Sequence, residues 1–205
     1  PYLIKNFLLN AIQYNIKKNQ TVVIGGTRLD KKNYYNSLFN ISSSNISYYD
    51  KKILVPFGEF LPLRNLLSFM TPITGPSDYS KGNNLRLIHI NNNLSYIPII
   101  CYEIIYYWKL INNVNYKSNF IVNITNDIWF GKYLGPYQHF YLSKLRAAEF
   151  NKPLIRVSNN GISGIIDHNG QILSKINLNN IENKKYKLSI NDRKNFYKTH
   201  NILKL

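Results

Sequence analysis

Short apolar runs, each halted by a glycine, a proline or a polar cluster, constrain this chain most. Thr21-Val22-Val23-Ile24 halts at Gly25-Gly26, Leu94 to Ile100 at Cys101, and Phe120 to Ile124 at Thr125-Asn126. Runs of this length, rich in Val and Ile, predict buried strands rather than helices. Helical spacing recurs between them. Leu3 to Asn15 places Leu3, Phe7, Ala11 and Tyr14 on one face, and Ile104 to Ile111 predicts a second helix. Gln138 to Asn151 carries the clearest helical pattern and stops before Pro153, where the residue preceding a proline is pushed out of the helical region.

Further strands are expected over Tyr34–Ile41, Leu85–Ile90, Leu154–Val157, Ile162–Asp167, Gln171–Ile176 and Lys185–Ile190, with Ser42 to Tyr48 as a loop. Asn91-Asn92-Asn93 and His168-Asn169-Gly170 read as hairpin turns. Strands and helices alternate early and strands cluster late, which predicts an α/β layered fold with a mixed sheet. No repeat or internal domain boundary is evident. Beyond Asn191 the chain turns polar and basic and reads as a tail.

A formal charge of +16 on 205 residues raises the question of an anionic partner. The lysine pairs Lys17-Lys18, Lys31-Lys32, Lys51-Lys52 and Lys184-Lys185 are dispersed, not gathered on one element. Lys, Asn, Ile and Tyr are abundant together, and all have A/T-rich codons, so genome bias accounts for the charge. No nucleic acid is expected as partner. No apolar run reaches the about 20 residues that span a bilayer. The four histidines, His89, His139, His168 and His200, lack metal-ligand spacing.

Cys101 is the only cysteine and cannot form an internal disulfide. By position alone it reads as a small buried hydrophobe. The alternative is a nucleophile, since a helix start after the strand would favour the thiolate. Three other segments carry polar residues at strand ends, where α/β folds keep their sites. They are Lys51-Lys52 to Glu59, Thr125-Asn126-Asp127 to His139, and Arg146 to Glu149 with Ser158-Asn159-Asn160-Gly161.

Five motifs in order decide between the two readings: Val55-Pro56-Phe57-Gly58-Glu59, Cys101-Tyr102-Glu103, Asn126-Asp127-x-Trp129-Phe130-Gly131, Gly135-Pro136-x-Gln138-His139 and Asn159-Asn160-Gly161. Together they resemble the nitrilase (carbon–nitrogen hydrolase) superfamily. The Gly-Pro-x-Gln-His stretch is similar to its apolipoprotein N-acyltransferase branch. The resemblance implies an αββα sandwich with mixed sheets and a Glu-Lys-Cys triad. It places the nucleophile on Cys101, the lysine on Lys51 rather than Lys52, and a second essential glutamate on Glu59. Tyr102 and Glu103 fall on the substrate-binding loop. No metal or organic cofactor is implied.

The implied reaction transfers a fatty acyl chain from a phospholipid, through an acyl-Cys101 thioester, to the N-terminal amine of a diacylglyceryl-cysteine apolipoprotein. The implied location is the bacterial inner membrane, with the catalytic domain on its periplasmic face. A soluble amidase or nitrilase with the same triad, and a decayed non-catalytic module, are the alternatives. Residues 1–191 are expected to form the catalytic domain without its first strand and its base glutamate, which the family carries upstream. Residues 192–205 resemble a linker toward a C-terminal membrane helix. The chain by itself is therefore expected to be inactive. Phe60 to Ile73 reads equally as a lipid-facing arm or as a helix packed on the core. Trp108, with Tyr106 and Tyr107, reads equally as an interfacial anchor or as core. His139 is expected to be structural, and Glu149 to pair with Arg146 or cap a loop.

Overall fold

The computed structural model describes residues 6–63, 77–112 and 114–190. The chain forms two compact units, Pro1–Leu85 and Arg86–Leu205. The α/β class read from the sequence holds in each.

In the first unit, helix α1 (Asn6–Asn15) precedes strands β1 (Thr21–Asp30), β2 (Asn33–Ser42) and β3 (Ile46–Asp50). These form an antiparallel sheet in the order β1-β2-β3. Among the described residues it is wholly antiparallel. The buried face of α1 differs from the expected one. Phe7 and Tyr14 are exposed, while Leu9 is buried against Phe39 and Ile41, with Ile12 and Ile16 packed alongside. Two apolar stripes compete on this helix, and β2 selects the second. Leu3 lies outside the described residues.

Strand β1 runs through Gly25-Gly26 instead of ending there, because both glycines pair with Leu38 and Ser37 of β2. The segment expected as a loop supplies β3. Ser42 and Asn45 close the turn reciprocally, through Ser42 N–H to the Asn45 carbonyl and Asn45 N–H to Ser42 Oγ. The chain beyond it then pairs with β2. Most of the Phe60–Ile73 arm lies outside the described residues.

The second unit holds β4 (Ile88–Asn91), β5 (Leu94–Ile100), β6 (Phe120–Asn126), α2 (Leu134–Glu149), β7 (Leu154–Asn159), β8 (Ser163–Ile166) and β9 (Ile172–Ile176). They form one sheet in the order β4-β5-β6-β7-β8-β9. The pairs β5–β6 and β6–β7 are parallel and the others antiparallel, so this sheet is mixed. Helix α2 is the crossover between β6 and β7 and buries Pro136, His139, Phe140, Ser143, Arg146 and Ala147 at helical spacing. Pro136 fits the first turn, where its missing N–H has no helical partner to lose. Ile97, Ile99, Ile121 and Leu154 from the three parallel strands meet Phe140 and Ala147 in the core.

The α-helix expected over Ile104–Ile111 does not form. Cys101–Ile105 and Tyr107–Lys109 are separate 3₁₀ turns. Lys185–Ile190 is not a strand either; residues 181–190 run without regular structure and mostly exposed. Among the described residues, no helix is long and apolar enough to cross a membrane.

Candidate functional site

Parallel pairing puts the carboxyl ends of β5, β6 and β7 on one edge of the second sheet. Ile100 pairs with Ile124, and Asn126 with Asn159. The residues that follow these strands are Cys101, Asp127 and Asn160-Gly161. Three of the five sequence motifs thus share the edge at which open α/β sheets bind ligands.

Cys101 is half-buried and unbonded to any other sulfur. Its φ of +51° lies in the left-handed region, unusual for a residue with a Cβ, and turns the chain sharply off β5. Two sets of contacts hold this turn. On one side Glu103 Oε2 accepts the Ile100 N–H at 3.0 Å. The same carboxylate takes two hydrogen bonds from Arg86, NH1 to Oε2 at 3.0 Å and NH2 to Oε1 at 2.9 Å. Glu103 has no solvent exposure. Its carboxylate braces the loop through these three contacts.

On the other side the Tyr102 ring stands 6.0 Å from both the Phe130 and His139 rings and 6.4 Å from Tyr106. His139 Nδ1 lies 2.8 Å from Asp127 Oδ1, and Arg156 NH2 lies 2.7 Å from Asp127 Oδ2. Arg156 also donates to Asn123, Ser143 and the Ile162 carbonyl, and is wholly buried. Burial lowers the proton affinity of the guanidinium; Asp127 and, more weakly, Cys101 oppose this. Burial favours the neutral acid at Asp127, but the His139 hydrogen bond and the Arg156 charge outweigh it and hold the carboxyl below its usual range. Because the segment after Cys101 is 3₁₀ and short, the aligned-dipole argument for a thiolate does not apply.

The first unit has a cluster of its own, around Lys51. The Lys51 ammonium lies 2.6 Å from Glu59 Oε2, and Lys51 is 1% exposed. Glu59 Oε2 also accepts the Val55 N–H at 2.9 Å, and Oε1 accepts Asn36 Nδ2 at 2.6 Å. The main chain of Lys51 is fixed at both ends, its N–H to the Asn36 carbonyl and its carbonyl to the Gly82 N–H. Beneath it Asp50 takes two hydrogen bonds from Arg28 and one from Ser37. Lys51, at the end of β3, is thus the lysine that Glu59 holds, while Lys52 is its half-buried neighbour. Register alone separates the two in sequence.

Sequence reasoning missed Arg86 and Arg156. Each is a single arginine in an apolar or polar stretch with no motif around it. Arg146 does pair with Glu149 as expected, at 3.1 Å. Tyr107 and Trp108 are exposed, stacking edge to face at 5.0 Å, so this pair is surface rather than core. A hollow of about 590 Å³ lined by Asn91 to Leu94, Asn119 and Ile190 sits at the opposite end of β5 from Cys101 and holds none of these residues. Among the described residues, no cluster of His, Cys, Asp and Glu has the form of a metal site.

The chain is 40% identical over 186 residues to an apolipoprotein N-acyltransferase of Rickettsia typhi, covering 87% of this chain and 36% of that protein. It is 36% identical over 194 residues to the enzyme of the same name from Allorhizobium ampelinum, covering 88% and 37%. The chain therefore spans little more than a third of the length of these relatives. A carbon–nitrogen hydrolase superfamily protein of Xanthomonas campestris superposes with a TM-score of 0.54 at 17% identity, covering 76% of this chain and 58% of the other, which shows the fold alone. The carbon-nitrogen hydrolase family matches residues 6–189, almost the whole described chain, and to that family this chain belongs.

Proposed function

We propose that this chain is the acyl-transferring part of an apolipoprotein N-acyltransferase, with Cys101 as nucleophile. The observation that carries the reading is the 40% identity, sustained over 186 residues, to proteins of that name. The strained, half-buried position of Cys101 at the carboxyl end of a parallel strand supports it.

The thiolate of Cys101 attacks the ester carbonyl of a phospholipid. The carbon–oxygen bond breaks, the lysophospholipid leaves as an alcohol after taking a proton, and a thioester remains. The α-amine of a diacylglyceryl-cysteine apolipoprotein then attacks the thioester. The carbon–sulfur bond breaks, the amine gives up a proton, and the thiolate returns. Lys51, oriented by Glu59, supplies positive charge for the thiolate and for the oxyanion that develops on the carbonyl. The proton acceptor that both steps need is, by the family resemblance, a glutamate. The whole protein sits in the bacterial inner membrane with this part on the periplasmic face. Residues 1–191 are its catalytic domain and 192–205 the linker to a membrane helix. Tyr102 contributes to the substrate-binding loop through its ring.

The test is mass spectrometry of the full-length protein after incubation with phospholipid vesicles. An acyl adduct on Cys101 is expected, absent in Cys101→Ser and in Lys51→Ala. An adduct that persists in Lys51→Ala removes the lysine from the mechanism. Free fatty acid without an adduct or acylated peptide points to hydrolysis.

A further inference from the structure

His139 is 2% exposed, yet only one edge of its ring is accounted for. Nδ1 faces Asp127 Oδ1, and an ionised carboxylate only accepts hydrogen bonds. Nδ1 must therefore carry the hydrogen. The guanidinium nitrogen of Arg156 that stands 3.1 Å from the same Nδ1 is then a second donor to Asp127, not a donor to the ring. Nε2 is left buried with no hydrogen-bond partner. Burial, with the Arg156 charge adding to it, holds the ring's proton affinity below the usual histidine value despite Asp127. In the neutral ring Nε2 is a bare lone pair, which a protein interior normally pairs.

The neighbours of the ring belong to the Cys101 turn and the loop after β6. The ring packs 4.9 Å from Phe130 and 6.0 Å from Tyr102, the residue after Cys101. The Cys101 carbonyl also acts on the ring, in the sense that favours its charged form, without reaching hydrogen-bonding geometry. The titratable or charged groups around the ring are thus Asp127 from the end of β6, Arg156 from β7, and Cys101 and Tyr102 from the 3₁₀ turn. A left-handed cysteine persists only where its surroundings over-determine it. The Glu103 brace accounts for one side of that turn, and the His139 ring is what stands on the other.

We propose that His139 is a positioning residue for Cys101, fixed by Asp127 in the Nδ1–H tautomer so that its ring, packed near Tyr102 and Phe130, holds the left-handed turn that presents the thiol. This rests on the reading of Cys101 as the nucleophile. Its test uses the folded protein without acyl transfer, so the two can fail separately.

The chain has four histidines and one cysteine, so both ends of the coupling can be read directly. Nitrogen NMR of histidine-labelled protein, with His139 assigned by its loss in His139→Asn, is expected to show the Nδ1–H tautomer at neutral pH. Capping Cys101 with a methylthio group is expected to shift the His139 ring signals and leave His89 and His168 in place. In the variant arm, His139→Asn keeps an amide donor for Asp127 but lacks the far edge. Iodoacetamide is expected to modify its Cys101 with an altered pH midpoint or a several-fold altered limiting rate, while circular dichroism shows a folded protein. If that variant unfolds, the wild-type NMR arm decides. An Nε2–H tautomer, or His139 signals indifferent to the cap, overturns the proposal. Shifts that respond to the cap in a protein that never forms an acyl adduct on Cys101 sustain the coupling and sink only the acyltransferase reading.

Discussion

Arg86 grips Glu103 through two hydrogen bonds of 3.0 and 2.9 Å in the interior of the second unit, and Glu103 reaches back to the N–H of Ile100, the residue before Cys101. The fork geometry matches two guanidinium nitrogens to two carboxylate oxygens. It ties the strand that enters the Cys101 turn to the segment that leaves it.

Glu103→Gln removes the charge but leaves Arg86 buried. Breaking a buried pair from one side costs on the order of 3–5 kcal/mol, because the surviving charge is uncompensated. The double variant Arg86→Met/Glu103→Leu is expected to lose less stability than Glu103→Gln alone. Urea unfolding of the three proteins measures both values. A double variant as unstable as the single one would mean that the pair contributes net stability beyond its mutual compensation.

Gly161 stands where a methyl group would overlap Ser158 Oγ and Asp127 Oδ2. Asp127 Oδ2 cannot swing away without giving up Arg156. Gly161→Ala is therefore expected to destabilise by about 1–3 kcal/mol, the usual range for overpacking. It should also change the reactivity of Cys101 toward iodoacetamide, since Asp127 orients His139. Gly131→Ala, with open space around its Cβ position but a φ of +68°, serves as a comparison that strains the backbone without touching Asp127.

Lys152 is buried with its ammonium donating to the Ser118 carbonyl, and burial pulls its pKa from 10.5 down to about 8. Between about pH 8 and 10.5 the unfolded chain holds a proton at this lysine that the folded chain has released. Stability contributed by this residue therefore rises with pH across that window and is flat below it. Lys152→Met is expected to abolish the rise. Melting temperatures at pH 7.5, 9 and 10, compared between the two proteins, check it, and parallel curves would contradict it.

Two groups act on the acid side with the same sign. His139 is held below 6.5, so the unfolded chain takes up a proton there first, and stability falls as pH drops below 6.5. Asp127 is held below 3.8, so its contribution is present above that value and disappears as pH falls through the lower, folded one. Wild-type stability is expected to decline in two stages on acidification. His139→Asn should lose the first stage and keep the second. Stability curves from pH 8 to 3 that superpose for the two proteins would show that the ring does not titrate on unfolding.

The local order of this protein is written in its sequence. Strand-length apolar runs specify β5, β6 and β7, because burying Val and Ile on both faces of a parallel sheet needs no longer-range information. The pattern from Gln138 to Asn151 specifies α2, and Pro153 specifies its end. Cys101 stands out because it ends such a run within a recognisable motif and Glu59 because it closes another, while Lys51 is marked by register alone. What the sequence could not decide was anything that depends on a distant neighbour. Which stripe of α1 is buried depends on Phe39 and Ile41. Whether Gly25-Gly26 ends a strand depends on a pairing strand, and Ser42 to Tyr48 supplies part of β3 only because β2 is there to receive it. The same limit hid the site's supports. Arg86 meets Glu103 across 17 positions of chain, and Arg156 meets His139 across 17 and Asp127 across 29. A buried ion pair leaves no periodic trace, since one charged residue in an apolar run looks like an interruption until its partner is placed beside it.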